Sequence, residues 1–197
     1  MNDGSLKVIP TNPQEVAETA ATMTQPRKDY NEGLDYLKNK EQAMAANAFH
    51  NALKGWEEEG NLHGVANASD QLGDICAERG DFDNAFAHYN RAYKICTDDF
   101  DRFSLFALER KKAALLAQME RFDEALDQYW DILDEYTANQ DPAGAVATLE
   151  TMAEIFIKTS DQEKAANCYR MIARAHRNFK HPDEAADYEA KAADLVA

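Results

Sequence analysis

Small and apolar side chains return along this chain every 40 residues, at spacings that suit helices and not strands. One column holds Ala45, Ala85, Ala125 and Ala165. Four residues further stand Phe49, Tyr89, Tyr129 and Tyr169, and three beyond those come Ala52, Ala92, Ile132 and Ile172. Steps of four and three keep each set on one helical face, where the small residue lets a neighbouring helix approach and the aromatic ring fills the space beside it. The preceding half of each unit has its own columns: Gly33, Gly73, Ala113, Ala153 and Ala193, followed three residues later by Tyr36, Cys76, Leu116, Phe156 and Val196. Each unit therefore predicts two helices. The short polar segments "ERGDFD", "MERFDE" and "KTSDQE" predict turns between them, with Asp81, Asp123 and Asp161 serving helix starts as caps or through the helix dipole.

The pattern predicts helices near 27–39, 41–58, 63–79, 82–97, 102–119, 122–138, 142–158, 161–178 and 183–196. Pro142 and Pro182 stand at equivalent positions that suit a first helical turn, where the missing N–H costs nothing. The expected organisation is an all-α repeat domain over 26–197. Its four hairpins cover 26–65, 66–105, 106–145 and 146–185, and a capping helix covers 186–197. The last helix carries Tyr188, Ala192, Ala193 and Val196, which match the first half of a unit and are expected to cover the apolar face of the fourth hairpin. Residues 1–25 hold Pro10 and Pro13 and fit a tail, a short capping helix or a segment docked in a groove.

Leu72, Gly73, Ala85, Tyr89 and Ala92 sit at the spacing of the tetratricopeptide repeat (TPR) consensus, and the chain resembles that superfamily over 26–197. The usual period of the superfamily is about 34 residues. The longer period resembles the subgroup found in cell-polarity adaptors and bacterial peptide-sensing regulators. The first unit departs from the consensus, with Glu32 where Leu72 stands and no aromatic residue in its turn. The resemblance implies a right-handed superhelix of stacked hairpins, an α-solenoid whose first helices line a concave groove that binds peptides or proteins.

In that family the inward positions correspond to four columns here. They are Arg27, Asn67, Ala107, Ala147; Tyr30, Asp70, Arg110, Glu150; Leu34, Asp74, Ala114, Glu154; and Lys38, Glu78, Gln118, Lys158. The family's clamp for a C-terminal carboxylate is missing, and so is the asparagine row of the polarity adaptors, whose column reads Asn31, Gln71, Lys111, Thr151. The candidate groove contacts are Asn67, Asp70, Asp74, Glu78, Arg110, Gln118, Glu150, Glu154 and Lys158. Carboxylates at Asp70, Asp74, Glu150 and Glu154, separated by alanines, either receive Lys or Arg side chains of a partner or simply solvate a helix face.

Composition narrows the function further. With 36 acidic against 21 basic residues the formal charge is −15, which disfavours nucleic acid and anionic membrane surfaces. Cys76, Cys96 and Cys168 show no CxxC spacing, so buried, reduced thiols are expected, with Cys96 near a helix end reacting before Cys76. The cysteine usage and the lack of a secretory leader pattern predict a cytoplasmic protein. No Walker, GxSxG, HExxH or GxGxxG motif is present. The five histidines are scattered, "TDDFD" lacks the Gly and Glu of a calcium loop, and no catalytic residue, metal site or cofactor is expected. "GWEEEGN" (55–61) puts three glutamates at a helix end beside Trp56, and it reads either as a solvated end or as an acidic contact surface. The expected function is a non-catalytic protein–protein interaction scaffold or adaptor binding a peptide or protein segment in the groove. The alternative is a peptide-sensing regulatory domain that changes curvature on binding.

Overall fold

The computed structural model describes residues 23–99 and 101–197. Residues 1–22, and with them most of the N-terminal segment considered above, lie outside the described residues. Those described are helical throughout, without strands: α1 Gln25–Lys38, α2 Gln42–Glu59, α3 Leu62–Glu78, α4 Phe82–Asp98, α5 Arg102–Gln118, α6 Phe122–Ala138, α7 Pro142–Lys158, α8 Gln162–Asn178 and α9 Pro182–Leu195. Every end falls within two residues of the expectation from periodicity. The chain is an all-α, TPR-like array of helical hairpins.

Local chemistry explains why the helices stop and start where they do. Each turn closes with a backbone N–H donated to the carbonyl five residues back, as from Asn61 to Trp56 at 2.9 Å, Arg121 to Leu116 at 2.9 Å and Asp161 to Phe156 at 2.8 Å. Among the described residues just before such donors, Lys40, Gly60, Gly80, Glu120, Gln140, Ser160 and Lys180 are left-handed, with φ between 56° and 75°. This is the Schellman ending, which satisfies the last carbonyls of a helix and favours glycine at its left-handed residue. Only Gly60 and Gly80 meet that preference. Some of the helices that follow are then capped by a side chain: Asn61 accepts from the Gly64 N–H at 3.0 Å, Asp141 from Gly144 at 3.0 Å and Asp161 from Lys164 at 3.3 Å. Asp101 likewise accepts from Ser104 at 3.2 Å. Asp81 makes no such cap and accepts instead from the Asn84 side chain at 2.7 Å, and Asp123 lies in the first turn of α6. Pro142 and Pro182 open α7 and α9.

Packing divides the chain into two units, Met1–Ile75 and Cys76–Ala197. In the first, Gly33 faces the Phe49 ring so closely that a Cβ there would lie 2.7 Å from it, and Gly64 meets Trp56 in the same way at 2.2 Å. Tyr30 touches both rings, with centroids 5.2 Å from Phe49 and 5.3 Å from Trp56. The second unit has a continuous core running through Ala113, Leu116, Ala125, Tyr129, Ile132, Met152, Phe156 and Ile172. Ala45, Ala85, Ala125 and Ala165 are all fully buried, as close helix approach requires.

Two expectations about packing are corrected. The last helix does pack on α8 with Ala185 and Ala192 buried, but Ala193 and Val196 are exposed. Gly33, Gly73, Ala113 and Ala153 of the first column and Leu116 and Phe156 of the second are buried, and no described helix follows α9. The order of thiol burial is also reversed: Cys96 is 7% exposed, in line with the buried Trp56 and Tyr136, whereas Cys76 is only half-buried. Burial pushes the thiol of Cys76 upward and that of Cys168 up to about 11. A thiol reagent at mildly alkaline pH is therefore expected to label Cys76 first and Cys168 only on unfolding. Mass spectrometry of a labelling time course checks this, and early modification of Cys96 would contradict its core position.

Candidate functional site

On α5 the residues Ala107, Arg110, Lys111 and Ala114 follow a helical step of three, one and three, and on α7 Gly144, Ala147, Thr148 and Thr151 repeat it. Both sets therefore form one face of their helix. They flank an open pocket of about 420 Å³ floored by Tyr129, Ile132 and Tyr136 of α6. Gly144 lets α7 approach the floor closely, since a Cβ there would come within 2.2 Å of the Tyr136 ring. The Arg110 guanidinium lies 5.8 Å from the centre of the Tyr136 ring, and the Lys111 ammonium 5.7 Å from that of Tyr89. The Thr148 and Thr151 hydroxyls donate to the Gly144 and Ala147 carbonyls, at 2.8 and 3.0 Å, which leaves their oxygens as acceptors. No carboxylate lines this pocket, so in a strongly acidic protein it is locally cationic.

A second pocket of about 400 Å³ adjoins it and shares Ala147. Its wall is almost wholly apolar, formed by Ala143, Val146, Ala175 and Phe179, and Glu150 is its one carboxylate. Glu150 accepts a hydrogen bond from the Tyr188 hydroxyl of α9, which, with burial, pushes that phenol up to about 12. Tyr188 stacks on His176 with centroids 5.5 Å apart and planes 15° apart, and the Lys191 ammonium sits 4.5 Å from the Tyr188 ring centre. The carboxylate is thus held in one orientation by a neighbouring helix.

The two pockets share part of one register. Ala107, Arg110 and Tyr136 of the first correspond to Ala147, Glu150 and His176 of the second. The first unit repeats it again: Arg27, Trp56, Gly64 and Asn67 line a pocket of about 320 Å³ in the register of Ala107, Tyr136, Gly144 and Ala147. The pocket over Tyr136 and that of the first unit lie between successive first helices, whereas the one beside His176 is walled by α7, the end of α8 and the turn that follows.

Of the residues expected in a groove, Asn67 lines the slot of the first unit, and Arg110 and Glu150 line adjoining slots of the second. Asp70 and Asp74 are half-buried on α3, and neither they nor Glu78 is without a partner. Gln118, Glu154 and Lys158 are exposed on α5 and α7. The acids expected to form a row thus sit in different surroundings. Trp56 is 3% exposed and packed on Tyr30 and Gly64, so its reading as part of a surface contact is overturned; Glu57, Glu58 and Glu59 beside it are exposed. Sequence reasoning missed Lys111, Tyr136, Thr151, His176 and Phe179. A signal for the floor existed in the column Trp56, Cys96, Tyr136, His176, whose mixed chemistry hid a shared position. Among the described residues no group of three or more His, Cys, Asp or Glu side chains is placed to hold a metal, and no helix is long and apolar enough to cross a membrane.

Comparison with known proteins places the fold. The family model described as soluble NSF attachment protein, SNAP, matches residues 14–141. No curated protein sequence matches. Among solved structures, the chain is similar to the Rap conjugation gene regulator of plasmid pLS20 in complex with the Phr* peptide, with 12% identity and a TM-score of 0.62 over 99% of this chain and 59% of that one. NprR in complex with its cognate peptide NprX aligns at 15% identity and a TM-score of 0.61, over 93% of this chain and 63% of the other. A putative kinesin light chain of nearly identical TPR-like repeats from Podosopora anserina aligns at 16% identity and a TM-score of 0.50, over 89% of this chain and 98% of that one. The chain therefore spans about three-fifths of the two peptide-complexed regulators.

Proposed function

This chain belongs to the soluble NSF attachment protein family, and from that premise we propose that it is a non-catalytic scaffold that binds a peptide or protein segment on the face formed by its first helices. The observation that carries the reading is the pair of adjoining open slots at Ala107–Arg110 and Ala147–Glu150, built from small residues at positions where a larger side chain would fill them. The family description, attachment to another protein, and the peptide complexes of the Rap and NprR structures support it. The contacts we assign in the second unit are Arg110, Glu150 and Glu154, with Glu78, Gln118 and Lys158 at its rim; in the first unit, taken by itself, they are Asn67, Asp70 and Asp74. A Lys or Arg of the partner meets the acids.

A photo-crosslinking residue at Ala107 or Ala147 is expected to capture a partner from a cell extract that the same residue at the exposed Asp127 does not. The Glu150→Lys/Glu154→Lys variant should weaken that partner by about tenfold or more, roughly 1.4 kcal/mol. Asp127→Lys/Asp134→Lys, with the same change in net charge on α6, should leave it unchanged. Asp131 is unsuitable as a control because it lines a polar pocket with Glu109 and Lys112. Equal capture at both faces, or equal weakening by both variants, overturns the reading. The second reading, a sensor that changes curvature, draws its support from the same two peptide complexes. It requires a change in the radius of gyration by small-angle scattering on adding the captured partner segment.

A further inference from the structure

The slots over Tyr136 and beside His176 adjoin at Ala147 and have opposite chemistry. Where the first presents Arg110, with Lys111 beside it and two threonine oxygens across from it, the second presents Glu150 at the edge of an apolar wall. A uniformly basic segment would set one of its cations against Arg110 and Lys111, and like charges brought together oppose binding. An acidic side chain suits the first slot, where charge-assisted hydrogen bonds from the guanidinium are available. The second slot suits a side chain that is apolar along its length and cationic at its tip. The methylenes of Lys or Arg lie against Val146, Ala147 and the 55%-exposed Phe179, and the head reaches the Glu150 carboxylate that Tyr188 holds in place.

Resting on the binding role of this face, we propose that the two slots together select a partner segment carrying one acidic side chain and one Lys or Arg, the acid over Tyr136 and the base beside His176. The two slots adjoin at Ala147 and an extended chain rises about 3.3 Å per residue, so the two side chains are a few residues apart on one extended segment. The partner is therefore a charge-alternating segment and not a polybasic one. The Glu150 position sets the specificity, since it is the site at which one repeat reverses the charge of the preceding one.

A random-peptide library displayed on phage and panned on the full chain tests this. Selected peptides are expected to carry an acid and a Lys or Arg at that spacing. Arg110→Glu or Glu150→Lys should each weaken a synthetic copy by about tenfold or more, and reversing the matching charge in the peptide should recover most of the loss. Ala147→Trp fills the space common to both slots from an exposed helix position, so its folding is checked by circular dichroism. Peptides blocked by Ala147→Trp but lacking the charge pair, or indifferent to the two reversals, overturn the pairing and leave the binding face standing. Peptides indifferent to Ala147→Trp, or a library that yields none, overturn both.

Discussion

The combined substitutions Lys40→Gly, Glu120→Gly, Gln140→Gly, Ser160→Gly and Lys180→Gly are expected to stabilise the protein by about 3–4 kcal/mol. Each position is exposed and has φ between 56° and 62°, where a Cβ crowds the backbone. Relief of that crowding gives about 1–2 kcal/mol per residue. The greater freedom of glycine in the unfolded chain offsets about 0.4–1 kcal/mol of it. The net gain of about 0.5–1 kcal/mol at each site should add, because the turns are separate and share no partner. For a chain of this length it should raise the melting midpoint by about 10 °C, at about 2–4 °C per kcal/mol. Asn139→Gly, one position before the left-handed residue, is the matched control: its φ is −84°, so glycine there brings no relief and should lower stability. Denaturant titration of the five-site variant decides the matter, and a midpoint at or below that of the parent would mean that the turns tolerate their side chains without strain.

Those same turns show what the sequence concealed. The helices were legible because Ala45, Ala85, Ala125 and Ala165 answer a packing demand that no larger residue meets, and the demand recurs with the period. The left-handed residue recurs too, yet Lys, Glu, Gln and Ser fill it more often than Gly, so its column carries no compositional mark. The slot floor was hidden for a related reason: Trp56, Cys96, Tyr136 and His176 share a register position but no chemical kind, the first three buried and His176 half-buried. The tie between Glu150 and Tyr188 spans 38 residues and two different helices. Pattern reasoning could list Glu150 as an acid on a helix face, but not as an acid held in place beside an apolar wall. The site was thus half visible, its residues from the repeat register and its charge order only from the neighbours each residue acquires on folding.

The register itself makes the second strong prediction, since one column holds positions of opposite fate. Ala153 and Ala193 lie 40 residues apart and read alike in the sequence, but Ala153 is fully buried within the core of the second unit while Ala193 is exposed on α9. Ala153→Leu must place three additional carbons in a core that is already close-packed, which forces side chains off their rotamers or helices apart. The expected cost is about 1–3 kcal/mol. Ala193→Leu adds the same atoms to solvent at a helical position where leucine is nearly as favourable as alanine, and should change stability by less than about 0.5 kcal/mol. Thermal melts of the two variants, followed by circular dichroism at 222 nm, measure the difference directly. Equal losses would mean that α9 is covered on its Ala193 side, and no loss from either would mean that the helices of the fourth hairpin do not approach at Ala153 as the 40-residue column requires.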